Sequence, residues 1–144
     1  MSQSGTPRLE PDSAQADHVA ERLRTERIGW LTTVASNGTP QVSPIWFLWN
    51  GEEFLIYSLD SVRIRNLSGE ARVSLNLDGN GAGGDIVIVE GTARVDTTAP
   101  SAAENAGYLD KYKPVMDEYD WTPEWFAGRY SVPIRITPTK YRYW

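Results

Sequence analysis

The sequence predicts a mainly β fold: a small antiparallel barrel of five or six strands trimmed by short helices. Three observations carry this. Short runs rich in β-branched and aromatic residues recur at close spacing, Asn-Gly pairs separate neighbouring runs twice, and strands do not alternate with long helices as a parallel sheet requires.

Residues 1–12 hold Ser, Gln, Gly and two Pro with little apolar surface, and read as a flexible arm before a single domain over 13–144. Asp12 or Ser13 caps a helix reaching about Arg27, with Val19 and Leu23 four apart as its buried stripe. GWLTTVA at 29–35 is a strand, and SNGT at 36–39 turns the chain into the next one, PQVSPIWFLW at 40–49. Pro44 cannot donate to a ladder, so that strand needs an edge, a bulge or a ligand beside it. Asn50-Gly51 makes a second turn into EFLIYSL at 53–59. A helical stretch at 61–68 and the alternating strand ARVSLNL at 71–77 follow. DGNGAGG at 78–84 lacks the GK[ST] and the following helix of a phosphate loop, so it reads as a hairpin connection. In DIVIVEGTARVD at 85–96, Gly91 predicts a bulge or sharp bend. TTAPSAAENAGYLDKY is helix-like, Thr122-Pro123-Glu124 opens a further helix, and the chain from Tyr130 forms the last strand.

The chain has 144 residues, 40% hydrophobic and 23% charged, which suits one domain with a real core. Its net charge of -5 argues against a general nucleic-acid surface. With no Cys and one His, His18, there is no disulfide, no thiolate nucleophile and no metal site of several imidazoles. His18 falls on the N-terminal helix in a solvated role. The polar start lacks a signal-peptide core and no apolar run spans a membrane, so a soluble cytoplasmic protein is expected.

The stretch YSLDSVRIRNL at 57–67 holds the candidate chemistry. Ser61 is a natural N-cap, and a helix N-terminus offers free N–H groups and partial positive charge. Arg63 and Arg65 beside it suit a phosphate or carboxylate. Regular helical spacing puts Arg63 and Asn66 on one face and turns Arg65 about 200° from Arg63. A solvated surface helix would show the same composition.

The order of GWLTTVASNGTPQVSPIWF, the strand ending in Tyr57-Ser58, the RIRN turn at 63–66 and ARVSL at 71–75 resembles the flavin-binding split-barrel superfamily, the pyridoxamine 5′-phosphate oxidase-like proteins. Within it, the closer resemblance is to the branch that uses the deazaflavin coenzyme F420. The ending WTPEWFAGRYSVPIRITPTKYRYW resembles one subfamily's. The resemblance implies a six-stranded antiparallel split β-barrel and a homodimer with the cofactor between subunits. It implies Thr32 and Thr33 near the cofactor. Val42, Ser43, Pro44 and Ile45 would lie against the flavin ring, Tyr57 and Ser58 near the ribityl chain and phosphate, and Arg63, Arg65 and Asn66 at the phosphate turn. The family often carries Lys where this chain has Arg63, and its turn is one residue longer. Trp125, Tyr130, Tyr143 and Trp144 are candidate walls contributed by a partner subunit.

The function so implied is an oxidoreductase that passes a hydride from reduced F420 to a small organic acceptor. FMN in the same barrel, or a non-catalytic flavin or haem binder, is the alternative. Haem commonly takes a His ligand, and only His18 is available. No His or Cys can deliver the proton that follows the hydride. Tyr57, Ser43 and solvent remain, and no catalytic residue is assigned.

Overall fold

The computed structural model describes residue 9 and residues 13–144; the rest of the predicted arm at 1–12 lies outside the described residues. Helix α1 (Ala14–Thr25) is capped by Ser13, whose side chain accepts from the Ala16 N–H, and buries Ala16, Val19 and Leu23. Strands β1 (Gly29–Val34) and β2 (Pro40–Ile45) form the first hairpin. In its turn Gly38 takes φ +88 and Asn37 accepts the Thr39 N–H.

The expected strand at 40–49 is broken at Trp46 and Phe47. Its remainder, β3 (Leu48–Trp49), pairs with β4 (Phe54–Ser58) and not with β1. The sheet therefore has seven strands where six were expected, in the order β2-β1-β5-β6-β7-β4-β3, with β5 (Arg72–Asn76), β6 (Val87–Val95) and β7 (Val132–Tyr143). All its pairings are antiparallel. The break dictates the shape. Laid flat, six strand spacings would put β2 and β3 about 29 Å apart. Three Cα steps, from Ile45 to Leu48, reach no more than about 11 Å. The sheet must curl until its two edges nearly meet, which makes a split barrel.

The concave side holds an aliphatic core of Leu31, Leu75, Val87, Val89, Ile56, Ile134 and Ile136, closed by Val19 and Leu23 of α1 and by Leu67 of α2 (Val62–Gly69). At Glu90/Gly91 the β6–β7 register shifts, as Gly91 predicts. A Cβ there would lie 2.6 Å from the Thr137 carbonyl oxygen, so only glycine allows the approach.

A second, aromatic layer covers the convex side of β4. It comprises Leu55 and Tyr57 with Tyr108, Tyr112, Met116 and Phe126 from α3 (Ala106–Glu118) and α4 (Pro123–Arg129). The helix expected over the stretch beginning TTAPS starts only at Ala106, where Asn105 caps it by accepting the Tyr108 N–H, and it continues past Pro114. α4 begins as its sequence predicts, with Thr122 accepting the Trp125 N–H. Among the described residues no helix is long and apolar enough to cross a membrane.

Candidate functional site: two pockets about Arg63

Alternation along the strands sorts the sequence-predicted residues. On β1, Leu31 and Thr33 are buried, while Thr32 between them faces the other way. Across the ladder Thr33 pairs with Gln41, Leu31 with Ser43, and Thr32 with the exposed Val42. On β4, Ser58 shares a face with Ile56 and the barrel interior, whereas Tyr57 faces the aromatic layer. Period-two geometry thus separates Thr32 from Thr33 and Tyr57 from Ser58.

Arg63 rises from the first turn of α2 between the two sides. Its Nη1 donates to Ser58 Oγ at 3.1 Å and its Nη2 to Ser43 Oγ at 2.5 Å. Other arginines of this chain have a carboxylate close by: Arg72 donates to Glu70, Arg135 to Asp96, Arg22 to Glu26. Arg63 has none among the described residues, and desolvation pulls its pKa below the usual guanidinium value. A half-buried positive charge held only by neutral hydroxyls favours an anion beside it. Ser61 is the N-cap, as expected, but its side chain makes no capping bond. One turn on, buried Asn66 donates through Nδ2 to Thr33 Oγ1 (3.0 Å) and Gln41 Oε1 (2.7 Å), tying α2 to the first hairpin.

Two pockets meet at Arg63. The polar one, about 340 Å³, is lined by Thr33, Gln41, Val42, Ser43, Ser61, Val62, Arg63 and Asn66. The larger, about 480 Å³, is lined by Ile28, Pro44, Ile45, Leu59, Ser61 and Arg63 and by the rings of Trp46, Tyr57, Tyr108, Tyr119, Trp121, Phe126 and Tyr130. Its rings stack on one another and on the layer behind: Trp46 lies parallel to Phe126 (5.2 Å, 9°), Phe126 lies 4.5 Å from Tyr130, and Trp46 also lies parallel to Tyr112 (4.6 Å, 3°), which does not line the pocket.

The structure therefore brings together Thr33, Val42, Ser43, Ser58, Arg63 and Asn66, and sets Pro44, Ile45 and Tyr57 in the adjoining aromatic pocket. Tyr57 is anchored there, donating to Pro100 O and accepting from Asn105 Nδ2, and burial raises its pKa. Thr32 and Arg65 line neither pocket, and Arg65 is exposed. Of the four aromatics expected as partner walls, Tyr130 lines this chain's own pocket and Tyr143 packs against the barrel core; Trp125 and Trp144 are exposed. Sequence reasoning missed Gln41, for which the strand alternation shared with Ser43 was an available signal. It also missed Trp46, Tyr108, Trp121 and Phe126, which no local pattern distinguishes from core. His18 sits on α1 against Asp85, away from both pockets.

Residues 16–144 match the family model described as Pyridoxamine 5′-phosphate oxidase. No curated protein matches the chain. Among solved structures, the chain resembles an F420 reductase at 25% identity, over 85% of this chain and 94% of that one, with a TM-score of 0.61. An FAD-binding protein from Mesorhizobium loti is 21% identical over 90% and 91% of the two chains, with a TM-score of 0.62. HutZ, a haem storage protein from Vibrio cholerae, is 19% identical over 93% and 92%, with a TM-score of 0.57. The last two are likenesses of fold. The chain belongs to the pyridoxamine 5′-phosphate oxidase family of flavin-binding split barrels.

Proposed function

We propose that this member of the pyridoxamine 5′-phosphate oxidase family is an F420-dependent oxidoreductase of a small organic acceptor. The observation that carries the reading is Arg63: a half-buried guanidinium with two hydroxyl partners and no carboxylate among the described residues, set where two pockets join. The F420 reductase at 25% identity supports the choice of cofactor.

The donor set fits an anionic flavin-type ligand. Arg63, Ser43 and Ser58 would hold its phosphate, and the planar fork of arginine suits two phosphate oxygens at once. Thr33, Gln41 and Asn66 supply neutral hydrogen bonds along the polar pocket, and the edge strand Val42–Ile45 supplies backbone and small side chains beside the ring. When bound, the reduced deazaflavin supplies a hydride from its C5 for an activated double bond. The chain's own residues bind and orient, and the stacked rings about Trp46 give the neighbouring pocket an apolar wall. In the same reading the protein is a cytoplasmic homodimer with the cofactor at the subunit interface. Strand β2 is a sheet edge, and the exposed Val42, Leu59 and Val62 lie along the pocket rims.

The test is a titration of apo protein with F420 and separately with FMN, read by ligand anisotropy. Binding of F420 at micromolar or tighter affinity, with Arg63→Ala weakening it by roughly 1.5–3 kcal/mol, is expected. Preference for FMN would move the protein to the oxidase-like or flavin-storing branch. An unchanged dissociation constant for Arg63→Ala would remove the anion-site assignment.

A further inference from the structure

Asparagine is followed by glycine at Asn37-Gly38, Asn50-Gly51 and Asn80-Gly81. Much about these pairs is alike. Each lies between two strands, each asparagine is exposed, and the glycines take φ +88, +95 and +84. Such a pair is open to a reaction that needs no enzyme. The glycine nitrogen attacks the side-chain amide carbon, and glycine, lacking Cβ, obstructs that attack least. Two local conditions set its ease. The attacking N–H must be free to lose its proton. The amide oxygen gathers negative charge as the nitrogen adds, so donors aimed at it help.

The hydrogen bonds of the fold separate the pairs. Gly38 donates its N–H to Ala35 O at 2.9 Å, and Asn37 Oδ1 accepts from the Thr39 N–H alone, at 3.0 Å. The N–H groups of Gly51 and Gly81 have no partner among the described residues. Asn50 Oδ1 accepts from the Glu52 and Glu53 N–H groups (2.9 and 2.8 Å), and Asn80 Oδ1 from those of Ala82 and Gly84 (2.8 and 3.0 Å). Asn50 and Asn80 each close their loop with one backbone bond, to Glu53 O at 3.2 Å and to Gly84 O at 3.0 Å. They differ in their neighbours. Two glutamates follow Gly51, and their charges oppose an anionic oxygen. Asn80 stands in DGNGAGG, where the backbone rotates at the least steric cost.

We infer that Asn80 is a site of spontaneous deamidation in the folded protein, ahead of Asn50, and that the fold protects Asn37. The Gly81 nitrogen bonds to Asn80 Cγ and gives up its proton, the bond from Cγ to Nδ2 breaks, and ammonia leaves. Water then opens the cyclic imide at either carbonyl, giving aspartate or isoaspartate, with no oxidant or cofactor consumed. Either product adds a negative charge to a loop whose ends, the carbonyls of Asp78 and Asp85, are held by Arg22. Isoaspartate also moves the former side-chain carbonyl into the main chain and so undoes its cap on Ala82 and Gly84. The protected turn is the one that leads into Gln41 and Ser43 of the polar pocket.

The experiment incubates the full chain in mildly alkaline buffer. Pepsin then digests it at low pH, where digestion adds no deamidation, and tandem mass spectrometry scores each asparagine over time. Asn80 should convert first, and Asn37 about tenfold more slowly, as one net hydrogen bond implies. In strong denaturant the rates should converge, because the bonds that separate them are gone. Asn80→Ser should remove the earliest acidic species seen on ion exchange. Conversion of Asn37 as fast as Asn80 in the folded chain, the same spread of rates in denaturant, or an Asn80 that stays intact would each overturn the proposal. Asn80 lines neither pocket, so its conversion should leave the Arg63 titration unchanged.

Discussion

Arg63 and Lys111 are both cations drawn out of water without a carboxylate partner within ion-pair distance among the described residues, yet they sit in opposite circumstances. Lys111, on α3, donates from Nζ to the Phe47 carbonyl (2.9 Å) and lies 3.8 Å from the centre of the Phe47 ring and 5.3 Å from that of Tyr112. It lines neither pocket, and desolvation lowers its pKa to about 8. A lysine can relieve burial by losing its proton, and this one also has a carbonyl and ring faces to lean on. Arg63 cannot shed its charge at any ordinary pH. Its partners are two hydroxyls at the junction of two open pockets. The region around Lys111 is closed and structural. The region around Arg63 is electrostatically incomplete, and that incompleteness is what a ligand can satisfy.

The largest expected effect breaks the structural side. Tyr112 stacks on Trp46 and binds Phe47 N–H and Arg27 O through its hydroxyl, joining α3 to the break between β2 and β3. Tyr112→Ala should cost about 3–5 kcal/mol in chemical denaturation. A loss under about 1 kcal/mol would show that this seam does not hold the aromatic layer in place.

Next comes the functional side. Arg63→Met should weaken F420 binding by about 1.5–3 kcal/mol, as Ala does, while thermal stability stays level or rises because a desolvated charge is gone. A marked fall in melting temperature would make Arg63 a structural residue like Lys111.

The smallest effect concerns pH. The folded-state pKa of Lys111 lies below its unfolded value, so between about pH 8 and 10.5 the unfolded chain holds more protons and this group makes stability rise with pH. The buried tyrosines act oppositely near pH 10, so the comparison is best made between pH 8 and 9.5. Across that window wild type should gain on Lys111→Met, by less than about 1.4 kcal/mol per pH unit. A difference that stays flat with pH would mean that the lysine is no more desolvated than in water.

The pattern of strands, the two glycine turns, the Gly91 bulge and the helix starts at Ser13, Ser61 and Thr122 were legible because each depends on a few adjacent residues. Arg63 and Asn66 were legible for the same reason, being one helical turn apart. Gln41, Trp46 and Tyr108 were not. Gln41 matters because it stands opposite Thr33 across a ladder and beneath Asn66. Tyr108 stands out only in the fold, where its hydroxyl is buried and, among the described residues, unpaired beside the bonded hydroxyls of Tyr57 and Tyr112. Arg65, read as a second anion ligand, is exposed on a regular α2 and lines neither pocket.

The amino-acid sequence by itself determined the element types and the helix that carries Arg63, because dihedral preference and capping are local properties. The tertiary structure decided the rest. Where β2 and β3 part at Trp46-Phe47, the chain leaves one edge of the sheet and joins the other, and that long-range pairing curls the sheet. The curl sets Ser43 and Ser58, fifteen positions apart in sequence, on the two sides of one guanidinium. It also leaves an aromatic pocket beside them, because which residues share a pocket depends on register and closure, and neither is encoded in any short window of residues.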